Sequence, residues 1–296
     1  MAVSSMRDIK RRIRSVTSIE HITHAMKLVS TAKLRRAKLE LEKKQGFLDY
    51  VTDNIDEICA ISGELPSHYL EGGREIKRTC YVVVSSNRGL AGSYNVNVIK
   101  AAEREIEAGL PLGKEKPFFV CIGSKGSGYF AKRGYEIVAK YLSSPESATF
   151  IDTKELMEPV FKLYDEGKVD EVVVVYTTFK STMEQKAVAK RLLPFEPKQI
   201  GESEGKKTKK LPEYEPSAAE VFNYLVPKYA EISLFKTLIE AAACEHAARR
   251  IAMQNATDNA YEMIDTLYQS FNRARQAAIT SEITEIVSGS DAIKNA

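Results

Sequence analysis

The sequence predicts an α/β fold: a long antiparallel coiled coil of the N- and C-terminal helices, plus a Rossmann-like α/β domain with a mostly parallel sheet. Three observations lead to this fold class. Each end of the chain carries a long stretch that is almost free of proline and glycine. Apolar residues recur in both stretches at helical spacing. The middle of the chain alternates apolar, β-branched runs with helical patterns, which is typical of parallel strands joined by crossover helices.

The first predicted helix begins near Ser5, which forms a helix start signal with Asp8. Residues 4–61 contain no proline and a single glycine, and Gly63 followed by Pro66 supplies a stop. A helix of roughly 55 residues would be ~80 Å long. Globular helices average about 11–12 residues, so a helix of this length requires a partner helix.

The last predicted helix begins after a capping box formed by Ser217 and Glu220. Between residues 228 and 288 there is neither proline nor glycine, which predicts a single helix of about 60 residues, or ~90 Å. Pro227 is expected to kink or break the early part of this helix.

The residues expected at the seam of the two helices are small or apolar and step at alternating threes and fours. They are Ile9, Val16, Ile19, Thr23, Met26 and Ser30 on the first helix, and Leu234, Leu238, Ala241, Ala248, Ala252 and Asn255 on the last, interrupted by Glu245. Small residues allow a close approach, so the two termini are expected to form one antiparallel coiled coil. The alternative is two separate amphipathic helices lying on a domain, which their lengths disfavour.

The central block alternates predicted strands and helices. The strands are CYVVVSS, PFFVCIG, YEIVAKYL, DEVVVVYTTF and KAVAKRLLPF, and the helices cover about 93–108, 124–133 and 153–167. The polar stretch GESEGKKTKKLPEYEP reads as an exposed linker. The predicted organisation is a coiled-coil helix at 1–62, the α/β domain at 63–200, the linker at 201–216 and the second coiled-coil helix at 217–296.

Composition and charge narrow the class of protein. The net charge is only +3, but Lys and Arg strongly outnumber Asp and Glu in residues 1–44, which indicates an acidic partner surface. The four cysteines show no metal-ligand spacing, so buried free thiols are expected. The sequence shows neither a secretory signal nor an apolar run of transmembrane length. The Arg-rich start also resembles a transit peptide, but its helical pattern continues unbroken.

Two glycine-rich segments are candidates for a nucleotide site. The loop SSNRGLAGSYN at 85–95 follows a strand but lacks the GxxxxGK[ST] pattern. The segment GSGYFA at 126–131 matches G-x-G-x-x-G/A, but two residues separate it from the strand end. The acidic residue at the expected distance, Glu146, follows a strand exit and does not lie at a strand tip. These departures disfavour a nucleotide site, and a nucleotide-binding enzyme with dimerising arms is kept as an alternative.

Other chemistry finds little support in the residues. The four histidines supply no metal-ligand set, and no catalytic triad can be defended. The basic first helix could act as a nucleic-acid arm of the bZIP kind, although its charges are widely spread.

Several separated motifs carry a resemblance to a known family. The segment ITSEITEIVSGS at 279–290 closely resembles the C-terminal signature of the γ subunits of F-type ATP synthases. The matching residues are Ile279, Thr280, Glu282, Glu285 and Gly289, while Ser290 replaces the usual alanine. The N-terminal helix, the segments ATDNA and NRARQAAIT, and the loop SSNRGLAGSYN resemble the same family, with Ala91 where a cysteine is common. The resemblance runs from about residue 6 to residue 290.

The resemblance implies a rotor shaft without catalytic residues, metal or cofactor of its own. The implied partners are the α and β subunits of the catalytic head, the ε subunit and the membrane c-ring, with no nucleic acid and no direct nucleotide binding. The implied location is the cytoplasmic face of the bacterial plasma membrane, as a peripheral part of the ATP synthase.

The resemblance also assigns contact residues. On the β subunit it implies an acidic lever facing Met26, an acidic neighbour of Arg88 and a catch loop near Arg275 and Gln276. It places Tyr214 and Glu215 near the ε subunit and the c-ring.

Overall fold

The computed structural model describes residues 6–62, 67–70, 75–109, 114–196 and 214–294. Its five α-helices are α1 (Met6–Ser62), α2 (Tyr94–Gly109), α3 (Ser124–Lys132), α4 (Phe150–Asp165) and α5 (Ala218–Lys294). Its five strands are β1 (Thr79–Val84), β2 (Phe118–Ile122), β3 (Glu136–Tyr141), β4 (Glu171–Phe179) and β5 (Gln185–Leu193). The chain divides into two compact units, Met1–Ser30 with Arg249–Ala296, and Thr31–Ala248.

The strands of the second unit form a single sheet in the order β3-β2-β1-β4-β5. The first four of these strands are parallel, and only β5 is antiparallel to its neighbour. Every residue of β1 is buried, and so are the first seven of β4. Their unbroken apolar runs fit this position, because a central parallel strand is covered on both faces. The predicted mostly parallel sheet is confirmed.

Helices cover both faces of this sheet. On one face α2 and α3 pack against a cluster centred on Val83, Phe119 and Phe130. The other face is covered by α4, by the end of α1 and by the first half of α5, where Leu234 and Leu238 are fully buried. Each predicted helix of the central block lies within a few residues of its observed position, because the change from period two to period 3.6 marks each boundary.

Helix α5 begins as predicted and then departs from the prediction at Pro227. The Ser217 hydroxyl accepts a hydrogen bond from the Glu220 backbone N–H at 3.2 Å, which caps the first turn. Of the kink or break expected at Pro227, the break is wrong, since the helix runs through this residue, and the kink stays a prediction. Buried Val226 and Ala230 flank the proline, and their packing in the core offsets a penalty of about 3 kcal/mol.

In the first unit the two helices pair in antiparallel fashion. The Thr257 hydroxyl contacts the Thr23 hydroxyl at 2.8 Å, and Tyr261 interacts electrostatically with Glu20. From the first pair to the second, the residue number falls along α1 and rises along α5. This arrangement confirms the antiparallel pairing of the predicted coil.

The predicted seam needs correction at several positions. Ile9, Thr23 and Ser30 are buried as expected, but Ile19 is 50% exposed and Asn255 is exposed. The neighbouring Glu20, Met253, Thr257 and Ala260 are buried there. The apolar rule failed because the Glu20 carboxylate has polar neighbours inside the seam: His21 Nδ1 lies 3.0 Å away, and Tyr261 interacts with it electrostatically.

Of the seam residues in the second unit, Leu234, Leu238 and Ala241 are fully buried as expected, Ala248 is half-buried, and Glu245, the expected interruption, is itself buried. In the first unit Val16, Met26 and Ala252 are half-buried. The predicted stop at Gly63 and Pro66 lies outside the described residues, as does the predicted linker up to residue 213. Among the helices of the described part, none has the length and apolar character needed to cross a membrane.

Candidate functional site

The carboxyl edge of the sheet is the first place to look for a ligand, because open α/β sheets bind ligands there. At the start of α3 the backbone N–H groups are already engaged. Ser124 N–H donates to the Asn87 side-chain oxygen at 2.8 Å, Lys125 N–H to the Ser86 carbonyl at 3.2 Å, and Gly126 N–H to the Ser85 hydroxyl at 2.9 Å. The protein's own loop therefore uses the donors that a phosphate would need.

The glycines of this crevice serve close packing. Gly123, just before α3, has φ 87° and ψ 145°, and a Cβ built there would lie 2.2 Å from the Ser85 carbonyl oxygen. At Gly126 a Cβ would lie 2.9 Å from the Ser85 hydroxyl, whereas at Gly128 it would meet nothing within 4 Å. The segment GSGYFA is a glycine-rich helix start pressed against β1.

The loop at 85–95 is held on both sides and exposes its tip. The Asn87 amide donates to the Leu142 carbonyl at 2.7 Å, and the buried Ala91 packs against Cys244 of α5. Arg88 is exposed at the tip. The loop contacts α5 through Ala91. At Gly89 a Cβ would meet nothing within 4 Å, so close packing is not the reason for a glycine at this position.

The opposite, amino edge of the sheet carries a buried ionic cluster around Glu171 of β4. Its carboxylate accepts hydrogen bonds from the Thr79 hydroxyl at 2.8 Å, Lys114 Nζ at 2.8 Å and Arg191 Nε at 3.0 Å. Burial opposes the charged form, but these partners outweigh it and lower the pKa of Glu171 below its ordinary value. The cluster is saturated by the chain's own groups, which is typical of a structural role.

The cysteines behave as buried thiols. Cys80, Cys121 and Cys244 are free and buried, which confirms the prediction for these three. Burial raises the pKa of both Cys80 and Cys121 to about 12, so neither is a thiolate at neutral pH. Cys59 lies on α1, and its side chain is outside the description. The described residues contain no group of three His, Cys, Asp or Glu side chains that could hold a metal ion.

Three of the family-assigned contact residues lie in the second unit. Arg88 is exposed on its loop, as described above. Tyr214 is half-buried against the core that α5 shares with the sheet, and Glu215 beside it is exposed. The pair therefore combines an anchored aromatic ring with an accessible carboxylate.

The other assigned contact residues lie in the first unit and are spread along its helices. Met26 is half-buried on α1, three residues from the Thr23–Thr257 contact. Arg275 and Gln276 are exposed on α5, on the order of 27 Å along the helix from Thr257. The structure thus does not gather these residues into one pocket. A surface distributed along a pair of helices suits protein contact better than catalysis.

Beyond this point α5 is exposed on every side. All residues from 275 to 290 are exposed, including the signature residues Ile279, Thr280, Glu282, Glu285 and Gly289. Helix α1 begins at Met6, and the antiparallel register places that end near residue 274 of α5. The signature segment therefore projects beyond the described start of its partner helix.

An apolar stripe on this segment was missed by the sequence analysis. Ile279, Ile283, Ile286 and Val287 are each about half or more exposed and follow helical spacing. An exposed stripe of this kind marks a surface for another apolar surface. Their spacing of four, three and one residues was the signal that could have revealed it. Paired terminal helices with an exposed apolar end, together with an α/β domain whose crevice is filled, are typical of a subunit that binds other proteins in a larger assembly.

Comparisons with known proteins agree along the whole chain. A family model described as ATP synthase matches residues 5–293. The ATP synthase gamma chain of Alkaliphilus metalliredigens (strain QYMF) is 44% identical, covering 98% of this chain and 99% of its own. The sodium ion specific ATP synthase gamma chain of Acetobacterium woodii is 38% identical over 98% of this chain and 99% of its own. The chain belongs to the ATP synthase gamma chain family.

Solved structures support the same fold. The match in the Euglena gracilis mitochondrial ATP synthase, a structure of OSCP, F1 and c-ring, has a TM-score of 0.63 at 15% identity and covers 97% of this chain and 94% of that chain. The match in the central stalk and c-ring of the Tetrahymena thermophila mitochondrial ATP synthase has a TM-score of 0.56 at 20% identity, covering 79% and 99% of the two chains.

Proposed function

We propose that this chain is the rotor subunit of an F-type ATP synthase and has no catalytic site of its own. It turns with the c-ring as ions cross the membrane, and its rotation drives the successive changes of the catalytic β subunits that make or hydrolyse ATP. The observation that carries this proposal is the match to gamma chains over nearly the whole chain, including both long helices. The filled crevice at the start of α3 supports the absence of nucleotide binding.

The proposed contacts with the catalytic head follow the helices and the loop. Met26 faces an acidic lever of β, and Arg88 pairs with an acidic neighbour on β. Arg275 and Gln276 contact a catch loop of β. The exposure of Arg88, Arg275 and Gln276 supports these roles, since each side chain is available to a partner.

The proposed behaviour of the projecting end of α5 follows from its composition. A shaft that turns inside a sleeve of α and β subunits works best with weak, non-directional contacts at its tip. The apolar stripe of Ile279, Ile283 and Ile286 provides such contacts. Glu282 and Glu285 lie on the same segment and are available for contacts that change with angle.

In the second unit, Tyr214 and Glu215 contact the ε subunit and the c-ring. The location that follows is the cytoplasmic face of a bacterial plasma membrane, where the chain is held peripherally through these partners.

The test is co-purification from the native membrane with a tag on this chain. One copy of the chain for three α and three β subunits, with ε and the c-ring present, is the expected result. Recovery of the chain alone or as a homodimer, with Mg-ATP binding, would instead support the nucleotide-binding alternative. A salt-dependent shift of duplex DNA would support the nucleic-acid alternative.

A further inference from the structure

A single carboxylate joins three separate elements of the second unit. Glu146 lies on a short 3-10 helix, Pro145–Ser147, which follows β3. One of its oxygens accepts a hydrogen bond from Lys33 Nζ of α1. The other lies 2.6 Å from Nε2 of His246 on α5. One side chain of the α/β domain therefore contacts both long helices.

The electrostatics favour an ionised Glu146. Partial burial works against its charged form, but the hydrogen bonds from Lys33 and His246 outweigh this and lower the pKa of Glu146. An ionised carboxylate only accepts hydrogen bonds, so the proton of the His246 contact lies on Nε2. Both contacts are then charge-assisted, the stronger class of hydrogen bond.

The buried position of His246 is energetically unfavourable for one of its two ring nitrogens. Its side chain is only 5% exposed, and its Nδ1 is buried with no hydrogen-bond partner among the described residues. Unsatisfied buried nitrogens are uncommon and destabilising. The ring is therefore placed to present Nε2 to Glu146, at the expense of its other nitrogen.

A second polar attachment lies at the end of β4. The Phe179 backbone N–H donates to the Glu240 carboxylate of α5 at 2.8 Å, and Lys38 of α1 lies over the Phe179 ring at 4.7 Å. Each long helix is thus held by polar contacts both beyond β3 and at the end of β4. These strands are three positions apart in the sheet, which is roughly 14 Å at the usual strand spacing.

We propose that Glu146 is a positioning residue for torque transfer, a polar point at which the α/β domain holds both stalk helices. Two polar attachments separated across the sheet add to the shared apolar core in resisting rotation of the domain about the helices. This inference rests on the proposed rotor function. It assigns a role to the acidic residue that the sequence analysis considered for a nucleotide site.

The experiment uses the assembled ATP synthase in inverted membrane vesicles, where ATP hydrolysis and ATP-driven ion uptake are measured together. Glu146→Gln removes the charge at nearly constant size. Losing a charge-assisted hydrogen bond raises the fraction of time for which this contact is broken by about tenfold. We therefore expect ion uptake per ATP to fall roughly twofold or more, while ATP hydrolysis is kept. The matched control is Glu155→Gln, an exposed carboxylate on α4, which should leave the ratio unchanged.

Charge reversal separates a specific tie from general damage. Glu146→Lys and Lys33→Glu should each lower the uptake ratio, and the double variant should recover part of it. In the double variant the new ammonium can pair with the new carboxylate, which restores the contact with α1, whereas His246 Nε2 carries a proton and does not accept from the ammonium. A merely structural role does not predict this rescue. Should Glu146→Lys fail to assemble, the Glu146→Gln complex decides the question.

The outcomes distinguish the two proposals. Full uptake per ATP in the Glu146→Gln and Glu146→Lys vesicles, with no effect of Lys33→Glu, would overturn the role of Glu146 and leave the rotor function intact. Failure of the unaltered chain to assemble with α and β would overturn the rotor function itself.

Discussion

Replacing Gly123 with alanine is expected to destabilise the α/β domain strongly. The residue has φ 87° and ψ 145°, and its new Cβ would lie 2.2 Å from the Ser85 carbonyl oxygen. A non-glycine residue in this backbone region costs about 1–3 kcal/mol. Relieving the clash requires β1 and α3 to separate, which adds about 1–3 kcal/mol. We therefore expect a loss of about 2–6 kcal/mol, a large share of the ~5–15 kcal/mol of a typical domain.

Gly128→Ala is the matched control for this prediction. Gly128 lies in the same helix, and its added Cβ meets nothing within 4 Å. Relief of the helical cost of glycine should stabilise the chain by about 0.5–1 kcal/mol. The assay is urea-dependent hydrogen exchange of β1 and β2 amides in the full chain. Equal exchange in the two variants would refute the close packing of Ser85 against Gly123, and with it the argument that the crevice is filled.

Three further predictions address contacts, charge and ligand binding. Met26→Lys adds a charge-assisted hydrogen bond of about 1.5–3 kcal/mol to an acidic lever of β. The assembled complex should therefore still hydrolyse ATP, but it should pump fewer ions per ATP and its turnover should depend more steeply on temperature. Met26→Ala should do far less, and full pumping by the lysine variant would refute the contact. Glu171→Gln should cost about 1–3 kcal/mol in urea unfolding at pH 7. Because the folded-state pKa of Glu171 is lowered, this stabilisation is present above the unfolded-state pKa of about 4.3 and is lost as the pH falls through the folded-state pKa. The free energies of unfolding of the two proteins should therefore become equal in acid. A difference that stays constant with pH would refute the ionic role. Calorimetry of the full chain with Mg-ATP should show no binding, and micromolar binding lost on Gly126→Ala would restore the nucleotide-site interpretation.

The strands and helices of the central block could be predicted because their periodicities differ and because glycine and proline mark their ends. Covered strands such as β1 and β4 have continuous apolar runs, which predict parallel pairing. The long helices were predictable from the absence of breakers, except at Pro227. There the preference of proline against a helix interior is outweighed by packing in the core, which sequence periodicity does not measure.

The site was less predictable, because its features depend on residues distant in the chain. The role of Ser85 at Gly126 requires the register of β1 beside β2. At the seam Glu20 is buried in place of the predicted Ile19, because its carboxylate interacts with Tyr261 from the other end of the chain. Burial at the seam follows such partners, and the single sequence does not reveal them.

The most direct test of the rotor function is to watch this chain turn. The catalytic head is fixed to a surface through its β subunits, and a probe is attached at Glu107→Cys, an exposed position on α2. Labelling is made selective by replacing Cys59 with serine, because the other three cysteines, Cys80, Cys121 and Cys244, are buried. On addition of Mg-ATP the probe should rotate continuously in one direction and stop when ATP is exhausted. A probe that stays fixed relative to β while the same complexes hydrolyse ATP would contradict the account.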